Sequence, residues 1–560
     1  MEQETSDFCL PVNNSFIVES LSFAEIPNQS KLFIEYQKNP RNLAEYYPNS
    51  VESHTELSAY IPQVLEDYKA DRNAVCNALE EMNRKFGAGE KTLENINLLR
   101  ENDSVAVVTG QQAGLFSGPL YTIYKALSAV KLSECLRGRG FKAVPVFWIA
   151  TEDHDFEEVS NAFVINKSGN VEEIKNEPKR EAENLPVGYV KLDDSIKETI
   201  EKLFDELPET EFTAELKNTI GEIWKAGESF SDAFILTLKK IFDKYGLIML
   251  DPLNEKLKKI AAPIYVEAIK KSDEIVNALV KRSEELVEKS FHAQVLVTDD
   301  YFPLFWQAKD TTRNALKKSR KGTFKTKDDS REFTIGELAE IAESDPQRFS
   351  PTVVLRGVVQ DYLLPTVCYF GGGAEVAYFA QSGEVYKILN RPQTPVFHRQ
   401  SFTVVEAKHR RTMEKYDLTF KELLGGKKEN LPKIVEKYLN PEMTKIFAEA
   451  EEKINAELNR LDENLTKIEP TLAENLATRR RKIVYHIENI RNKFHKAQIE
   501  KDEIINRRIE TLFEEILPHK SLQERTVNVL TFLNLYGFYF TDWIYDAIDL
   551  DDKGHRIIYL

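Results

Sequence analysis

The sequence predicts an α/β chain: a doubly wound core on a parallel sheet, interrupted by helical insertions and followed by an α-helical coiled-coil hairpin. Three observations predict it. Two short apolar runs, Ser104–Thr109 and Ala143–Ile149, flank a segment of helical period, and strand, helix and strand in succession form a βαβ unit with a right-handed crossover between parallel strands. Further buried-strand candidates recur at Gly246–Leu250, Pro365–Phe370 and Thr394–Phe397, with long helical, charged text between them. From Lys445 to Ile516 the apolar spacing becomes heptad-like.

Residues 1–100 carry amphipathic helical patterns, such as Val75, Leu79 and Met82, broken by Pro40, Pro48 and Pro62, and read as a helical segment packing on the core. Residues 101–164 hold the first part of the core. The strand at Ser104–Thr109 runs into a Gly-rich loop, Gly110 to Gly118, and a helix follows. Ser117 suits its cap, Pro119 its first turn, and Leu120, Ile123, Tyr124, Leu127 and Val130 share one face up to the stop at Gly138–Gly140. Residues 165–350 read as connecting insertions with one core strand near 246–250, and the core resumes over 351–425. Within 426–520, Leu458, Leu461, Leu465, Ile468 and Leu472 step by 3 and 4, as do Ile483, Ile487, Ile490 and Phe494. Pro470 interrupts this register, which predicts an antiparallel hairpin bent there. With 15 basic and 16 acidic residues over 441–520, the hairpin is close to neutral and suited to pairing with a second copy, or to packing on its own core. Residues 521–560 are expected to return to the core.

At about 150 residues per domain, 560 residues exceed one compact module. The formal charge is 75 − 91 = −16, which leaves no electrostatic surplus for a nucleic-acid backbone or an anionic membrane. The acidic, polar N-terminus lacks the basic and apolar regions of a secretory leader. The longest uncharged apolar-leaning stretch, Thr526–Thr541, is too short for a bilayer. Cys9, Cys76, Cys135 and Cys368 are scattered, with no C-x-x-C pair and no metal-ligand spacing, so neither disulfides nor a protein-bound metal is expected and a cytoplasmic setting is.

In an open parallel sheet, ligands bind beyond the carboxyl ends of the strands, so the loops after the strands are the candidate site. The first, Thr109-Gly-Gln-Gln-Ala-Gly-Leu-Phe-Ser-Gly118, offers Gln111, Gln112, Gly114 and Ser117 at a helix N-terminus suited to an anion, with Tyr121 in the following turn. It is neither a dinucleotide fingerprint nor a P-loop. The second, Glu152-Asp-His-Asp155, places four titratable groups together; general acid–base work, amine binding and metal binding all fit, as does an acidic helix N-terminus. The third runs from Tyr369 through Gly371, Gly372 and Gly373 into a helix with Glu375, Tyr378 and Gln381 on one face, the wall of a pocket. Arg356 and Arg399 suit bidentate pairing with a carboxylate or phosphate.

These segments, with Thr109–Lys125 and Phe147–Val159 as long quoted stretches and Leu522–Arg525 and Leu533–Gly537 near the end, resemble the bacillithiol biosynthesis cysteine-adding enzymes over nearly the whole chain. The resemblance implies a Rossmann-like core similar to the class I aminoacyl-tRNA synthetase and nucleotidyltransferase fold, with connecting insertions and a coiled-coil element for homodimerisation. It implies a ligase that joins the carboxyl group of cysteine to the amine of glucosaminyl-malate, with ATP activating the carboxylate and Mg²⁺ accompanying it. On this reading Gln111, Gln112, Gly114, Ser117 and Tyr121 line the substrate pocket. Asp153 and Asp155 hold the cysteine ammonium or Mg²⁺, and His154 or Glu152 takes the proton of the attacking amine. Arg356 and Arg399 hold malate carboxylates or phosphate, and Gly371, Gly372, Gly373, Glu375, Tyr378 and Gln381 contact substrate or nucleotide. Here Gly373 and Ala374 replace the Pro-Gly of the family's usual Gly-Gly-Pro-Gly-Glu, and the H-x-G-H and K-M-S-K-S signatures are absent, Lys317–Lys321 matching the latter only faintly. The rival readings are a metal-dependent hydrolase using Glu152–Asp155, a non-catalytic coiled-coil scaffold, and a tRNA-binding synthetase relative, against which the charge of −16 argues.

Overall fold

The computed structural model describes residues 16–49, 51–178, 184–319, 322–327 and 330–560; Cys9, the first fifteen residues and the Arg320–Lys321 end of the faint K-M-S-K-S match lie outside them. The chain divides into two compact units, one running to Thr403 and resuming over Gln523–Ile558, the other comprising Val404–Leu522 and Tyr559–Leu560.

The first unit is built on a five-stranded, wholly parallel sheet: β1 (Ser104–Gln111), β2 (Lys142–Ile149), β3 (Ile248–Leu250), β4 (Thr366–Gly371) and β5 (Val396–His398), in the order β5-β4-β1-β2-β3. Each expected core strand is present within two residues of its expected bounds. The apolar runs are continuous rather than alternating because both sheet faces are covered; Val105 to Val108 have no exposed surface. Chain order climbs outward from β1 to β3, then returns to the other side of β1 for β4 and β5. The winding direction reverses between β1 and β4, which makes that junction the switch point where α/β sheets open a crevice.

Helix α1 (Tyr121–Gly138) makes the crossover from β1 to β2, and α2 (Gly373–Ile388) the one from β4 to β5. The apolar stripe predicted for α1 understates its burial: Thr122 to Val130 are buried on every side of the helix. The C-terminal segment covers the outer face, where Lys131 donates to the carbonyl of Tyr545 at 3.3 Å and Tyr545 donates to Glu134. Pro62 does not break the N-terminal helical text, for it lies inside a helix, Leu57–Asp67. The insertion before residue 351 carries strands the charged text did not suggest: an antiparallel sheet of Leu304–Gln307, Arg313–Lys318, Phe324–Thr326, Glu332–Phe333 and Phe349–Pro351.

In the second unit, α3 (Pro441–Ile468) and α4 (Pro470–Glu500) form a hairpin about Glu469, with Pro470 as the first residue of its helix. Arg480 donates to Asn459 at 2.7 Å and Asn455 at 2.9 Å, and Phe447 meets Phe494 at 5.7 Å between ring centroids, so the helices run antiparallel. The 3–4 spacing is not one seam. Leu458, Leu465, Ile487 and Phe494 are partly covered, whereas Leu461, Ile468, Leu472, Ile483 and Ile490 are exposed, at 47%, 79%, 52%, 37% and 60%.

Candidate functional site

The register of the sheet brings its carboxyl ends to one edge: Gln111 is opposite Ile149, Thr109 opposite Phe370, and Gly371 opposite His398. The residues just beyond these ends line a cleft of about 630 Å³, a size typical of small-molecule sites, which includes Gln111, Gln112, Tyr121, Asp153, His154, Arg356, Glu375, Tyr378 and Arg399. Three loops distant in sequence therefore converge as the strand order requires. A tight fit holds them together: a Cβ on Gly110 would sit 2.6 Å from the carbonyl oxygen of Trp148.

The first loop divides into two functions. Gln111 and Gln112 face the cleft, Gln112 donating to Asp153 at 3.0 Å and to Glu158 at 2.9 Å. Gly114 and Ser117 are not among the lining residues. Gly114 packs so closely on Gly118 that a Cβ would meet its Cα at 2.8 Å, and Ser117 is fully buried at φ 96°. The side chain of Asn528 plugs this turn, donating to the carbonyls of Leu115, Phe116 and Gly118 at 3.2, 3.2 and 2.8 Å. The expected anion site at the start of α1 is occupied by the chain itself, since Leu120 N donates to the carbonyl of Val527 at 2.8 Å. Ser117 does not cap the helix; Leu120 stands at the cap, with no side-chain hydrogen bond.

The acidic run is likewise split. Glu152 and Lys258 are both almost fully buried and pair at 2.9 Å, with Lys258 also donating to the carbonyl of Phe349 at 2.7 Å. Asp153 takes Gln112 on one oxygen and the backbone N–H of His154 at 2.8 Å on the other. Asp155 is exposed and caps the short helix Phe156–Val159 through Glu158 N at 3.1 Å. Glu152, Asp153 and His154 line the cleft and Asp155 does not; Asp153 Oδ1 lies 4.0 Å from His154 Nδ1, and among the described residues no group of three or more His, Cys, Asp and Glu could hold a metal ion. His154 lines the cleft with Nδ1 3.3 Å from a guanidinium nitrogen of Arg313, and burial, then the Arg313 charge, holds its pKa below the usual histidine value.

In the third loop, Glu375 accepts from Tyr369 at 2.6 Å and from Gly372 N at 2.7 Å and is ion-paired with the buried Lys125. Burial opposes its charge, but Lys125 and these donors hold its carboxyl below the usual range. Lys125 also donates to the carbonyl of Gly110 at 2.8 Å and to Gln111 at 2.9 Å, tying β1 to the start of α2. Gly372 and Gly373 line the cleft; a Cβ on Gly371 would meet that of Glu375 at 2.8 Å. Tyr378 accepts from Arg356 at 2.9 Å. Gln381, one turn on, does not reach the cleft and instead clamps the backbone of Val295, accepting from its N and donating to its O at 2.8 Å.

Arg399 forms a bidentate pair with Glu524, both contacts 2.8 Å, and Glu524 also accepts from Ser401 and from Phe402 N, at 2.7 and 3.1 Å. The guanidinium of Arg399 lies over the ring of Tyr121, 5.4 Å from its centroid. Among the described residues Arg356 is bonded only to neutral groups, Gln360 at 3.0 Å and Tyr378, and it lies over Tyr369. Arg525 is exposed at the cleft and, among the described residues, forms neither hydrogen bond nor ion pair. These two uncommitted cations make the cleft receptive to an anion.

Sequence reasoning passed over Lys125, Lys258, Arg313, Glu524 and Arg525 as site residues. Lys125 had a legible signal, a lysine one turn after Tyr121 and the one charged residue between Leu120 and Val130. Arg313 lies in charged text with no local mark, and only folding brings it to His154.

The family model described as "Bacillithiol biosynthesis BshC, N-terminal Rossmann-like domain" matches residues 18–400, and "Bacillithiol biosynthesis BshC, C-terminal coiled-coil domain" matches residues 402–560. Proteins named "Putative cysteine ligase BshC" are similar along their whole length. That of Koribacter versatilis is 32% identical over 542 residues, 97% of this chain and 99% of the relative. That of Solibacter usitatus is 32% identical over 539 residues, 96% and 98% of the two chains, and that of Salinibacter ruber 31% over 528 residues, 94% and 96%. The chain belongs to the bacillithiol biosynthesis BshC family, with a Rossmann-like core and a coiled-coil domain.

Proposed function

We propose that the cleft joins the carboxyl group of cysteine to the free amine of glucosaminyl-malate, forming an amide, in a reaction driven by ATP. The observation that carries this reading is the pair Arg356 and Arg525, cations at the switch-point cleft without a carboxylate partner among the described residues. These two suit a substrate bearing two carboxylates, whereas Arg399, expected to hold one, is already paired with Glu524. Asp153 at the same edge suits the ammonium of cysteine, and Gln111, Gln112 and Tyr121 supply neutral hydrogen bonds between the two. The names of the relatives support cysteine as the substrate.

A carboxylate is a poor electrophile, and ATP supplies its activation as an acyl adenylate or acyl phosphate. The cationic cleft fits such a phosphorylated species; Glu152 is paired with Lys258 and Asp155 caps a helix, so with Asp153 they do not fit a protein-bound Mg²⁺, and no step is routed through a metal on these side chains. The attacking amine adds to the activated carbonyl to form the C–N bond, the activating group then leaves with the electrons of its C–O bond, and the amine's proton passes to water through the mouth marked by exposed Arg525. Glu152, paired with Lys258, supports the loop rather than accepting that proton.

The same reading makes the protein a homodimer. The exposed apolar residues Leu461, Ile468, Leu472, Ile483 and Ile490 leave the hairpin with surface that a second copy would cover. Among the described residues no helix is long and apolar enough to cross a membrane, which is compatible with the cytoplasmic setting expected for a small-thiol pathway.

The test is incubation of purified protein with cysteine, glucosaminyl-malate, ATP and Mg²⁺, following thiol product and nucleotide by mass spectrometry. Amide product with AMP identifies an adenylate and product with ADP an acyl phosphate. Folded protein that yields no product under these conditions refutes the proposed reaction.

A further inference from the structure

We infer that Arg313 is a positioning residue that fixes His154 as the neutral Nε2–H tautomer, so that His154 serves the cleft as a hydrogen-bond donor and not as a base. The inference deepens the proposed ligation and rests on it for the identity of the acceptor. The contact itself sets the tautomer. Arg313 places a guanidinium nitrogen 3.3 Å from His154 Nδ1, and a guanidinium has donors only, so Nδ1 must offer its lone pair. A neutral imidazole then carries its hydrogen on Nε2.

Arg313 is held too firmly to follow the ring elsewhere. Its Nε donates to Ser350 at 2.9 Å, a second nitrogen donates to the carbonyl of Pro351 at 3.1 Å, and its plane lies 3.8 Å from the centroid of Phe305. Phe305 also meets the edge of the His154 ring, at 5.8 Å. The charged groups facing His154 are Arg313 and Lys327, which oppose an imidazolium, and Asp153 and Asp155, which favour it; burial adds to the opposition, and the pKa is lowered. Nε2 forms no hydrogen bond within the protein among the described residues, and the ring lines the cleft.

A donor on a ring that lines the cleft, with no protein acceptor among the described residues, is suited to an oxygen that gains negative charge. In the proposed reaction that oxygen is the carbonyl oxygen of the activated carboxyl, which becomes an oxyanion as the amine adds and reverts to a carbonyl as the activating group departs. A base at the same position would need the Nε2 lone pair that this tautomer lacks.

Long-range ¹H–¹⁵N correlation on the full chain labelled with ¹⁵N-histidine, assigned by loss of signal in His154→Ala, reads the tautomer directly. The expected result at pH 7 is a hydrogen on Nε2 and a free lone pair on Nδ1; a hydrogen on Nδ1, or on both nitrogens, overturns the inference. In Arg313→Met the second tautomer should appear, whereas an unchanged spectrum removes Arg313 from the role. Kinetically, His154→Gln keeps an amide donor near Nε2 and has no titratable nitrogen. It should stay within about tenfold of wild type, while His154→Ala loses about 10²–10³-fold in kcat with KM little changed. A glutamine variant as poor as the alanine variant overturns the donor role. Absence of ligation in the wild type would sink the functional reading alone, since the spectrum still decides the tautomer.

Discussion

Replacing Glu524 by Gln tests whether the cleft is braced by a buried ion pair. Arg399 and Glu524 have side chains 4% and 1% exposed and meet through two contacts of 2.8 Å, so neither charge is solvated by water. With charge centres about 4 Å apart and an effective dielectric near 20, the lost attraction is about 4 kcal/mol. The amide keeps one acceptor, but its new N–H₂ faces the guanidinium and Arg399 is left buried without a counter-charge. A loss of about 3–5 kcal/mol follows. All four tryptophans, Trp148, Trp224, Trp306 and Trp543, lie in the unit that contains the pair, so urea unfolding followed by their fluorescence reports on that unit. The partner variant Arg399→Met and the double variant Arg399→Met/Glu524→Gln close a cycle, and the double variant should recover much of the loss. Burial opposes the charge of Glu524, but Arg399 and its other partners hold its folded-state pKa below the unfolded value. The stabilisation is therefore fully present above the unfolded glutamate pKa, about 4.3, and disappears as pH falls through the lower folded value. A Glu524→Gln loss under about 1 kcal/mol at pH 7, or one that does not shrink in acid, would refute the reasoning.

Arg525→Met should raise KM for the dicarboxylate substrate about 10- to 100-fold, with urea stability within about 0.5 kcal/mol of wild type because the side chain is exposed and has no partner among the described residues; initial rates and unfolding curves check both. Asn528→Ala removes three hydrogen bonds to the turn before α1 and should cost about 2–3 kcal/mol by the same fluorescence assay. Gly110→Ala drives a methyl group into the carbonyl of Trp148 and should destabilise the sheet edge by about 1–3 kcal/mol, with a crystal structure expected to show β1 displaced from β2. If the exposed hairpin residues pair two copies, Leu461→Lys combined with Ile490→Lys should shift the sedimentation coefficient from dimer to monomer without loss of helical circular dichroism.

The strands of the core were legible because a parallel strand covered on both faces has to be an unbroken apolar run, and β1, β2 and β4 are such runs in the one-dimensional text. Their carboxyl-terminal loops were legible as the lining of one cleft for the same reason: Gln111, Asp153, His154 and Glu375 are where strand direction and chain order send them. The hairpin bend at Pro470 follows from a local restriction on proline. What a single stretch of sequence determines is therefore the class of element, its ends, and which loops meet.

Only the tertiary structure decided what each side chain in those loops does. Gly114, Ser117 and Gln381 share motifs with lining residues, yet serve a plugged turn and a backbone clamp, because Asn528 and Val295 arrive from far along the chain. Glu152 and Asp155, within two residues of His154 in sequence, were committed to Lys258 and to a helix cap. Arg313 joined the cleft from an insertion and Arg525 from the C-terminal segment, which also brought Glu524 to Arg399. The physical reason is one of range: strand and helix patterns arise from neighbours in the chain, whereas the charge, tautomer and freedom of a buried polar group depend on partners that only folding brings within hydrogen-bonding distance.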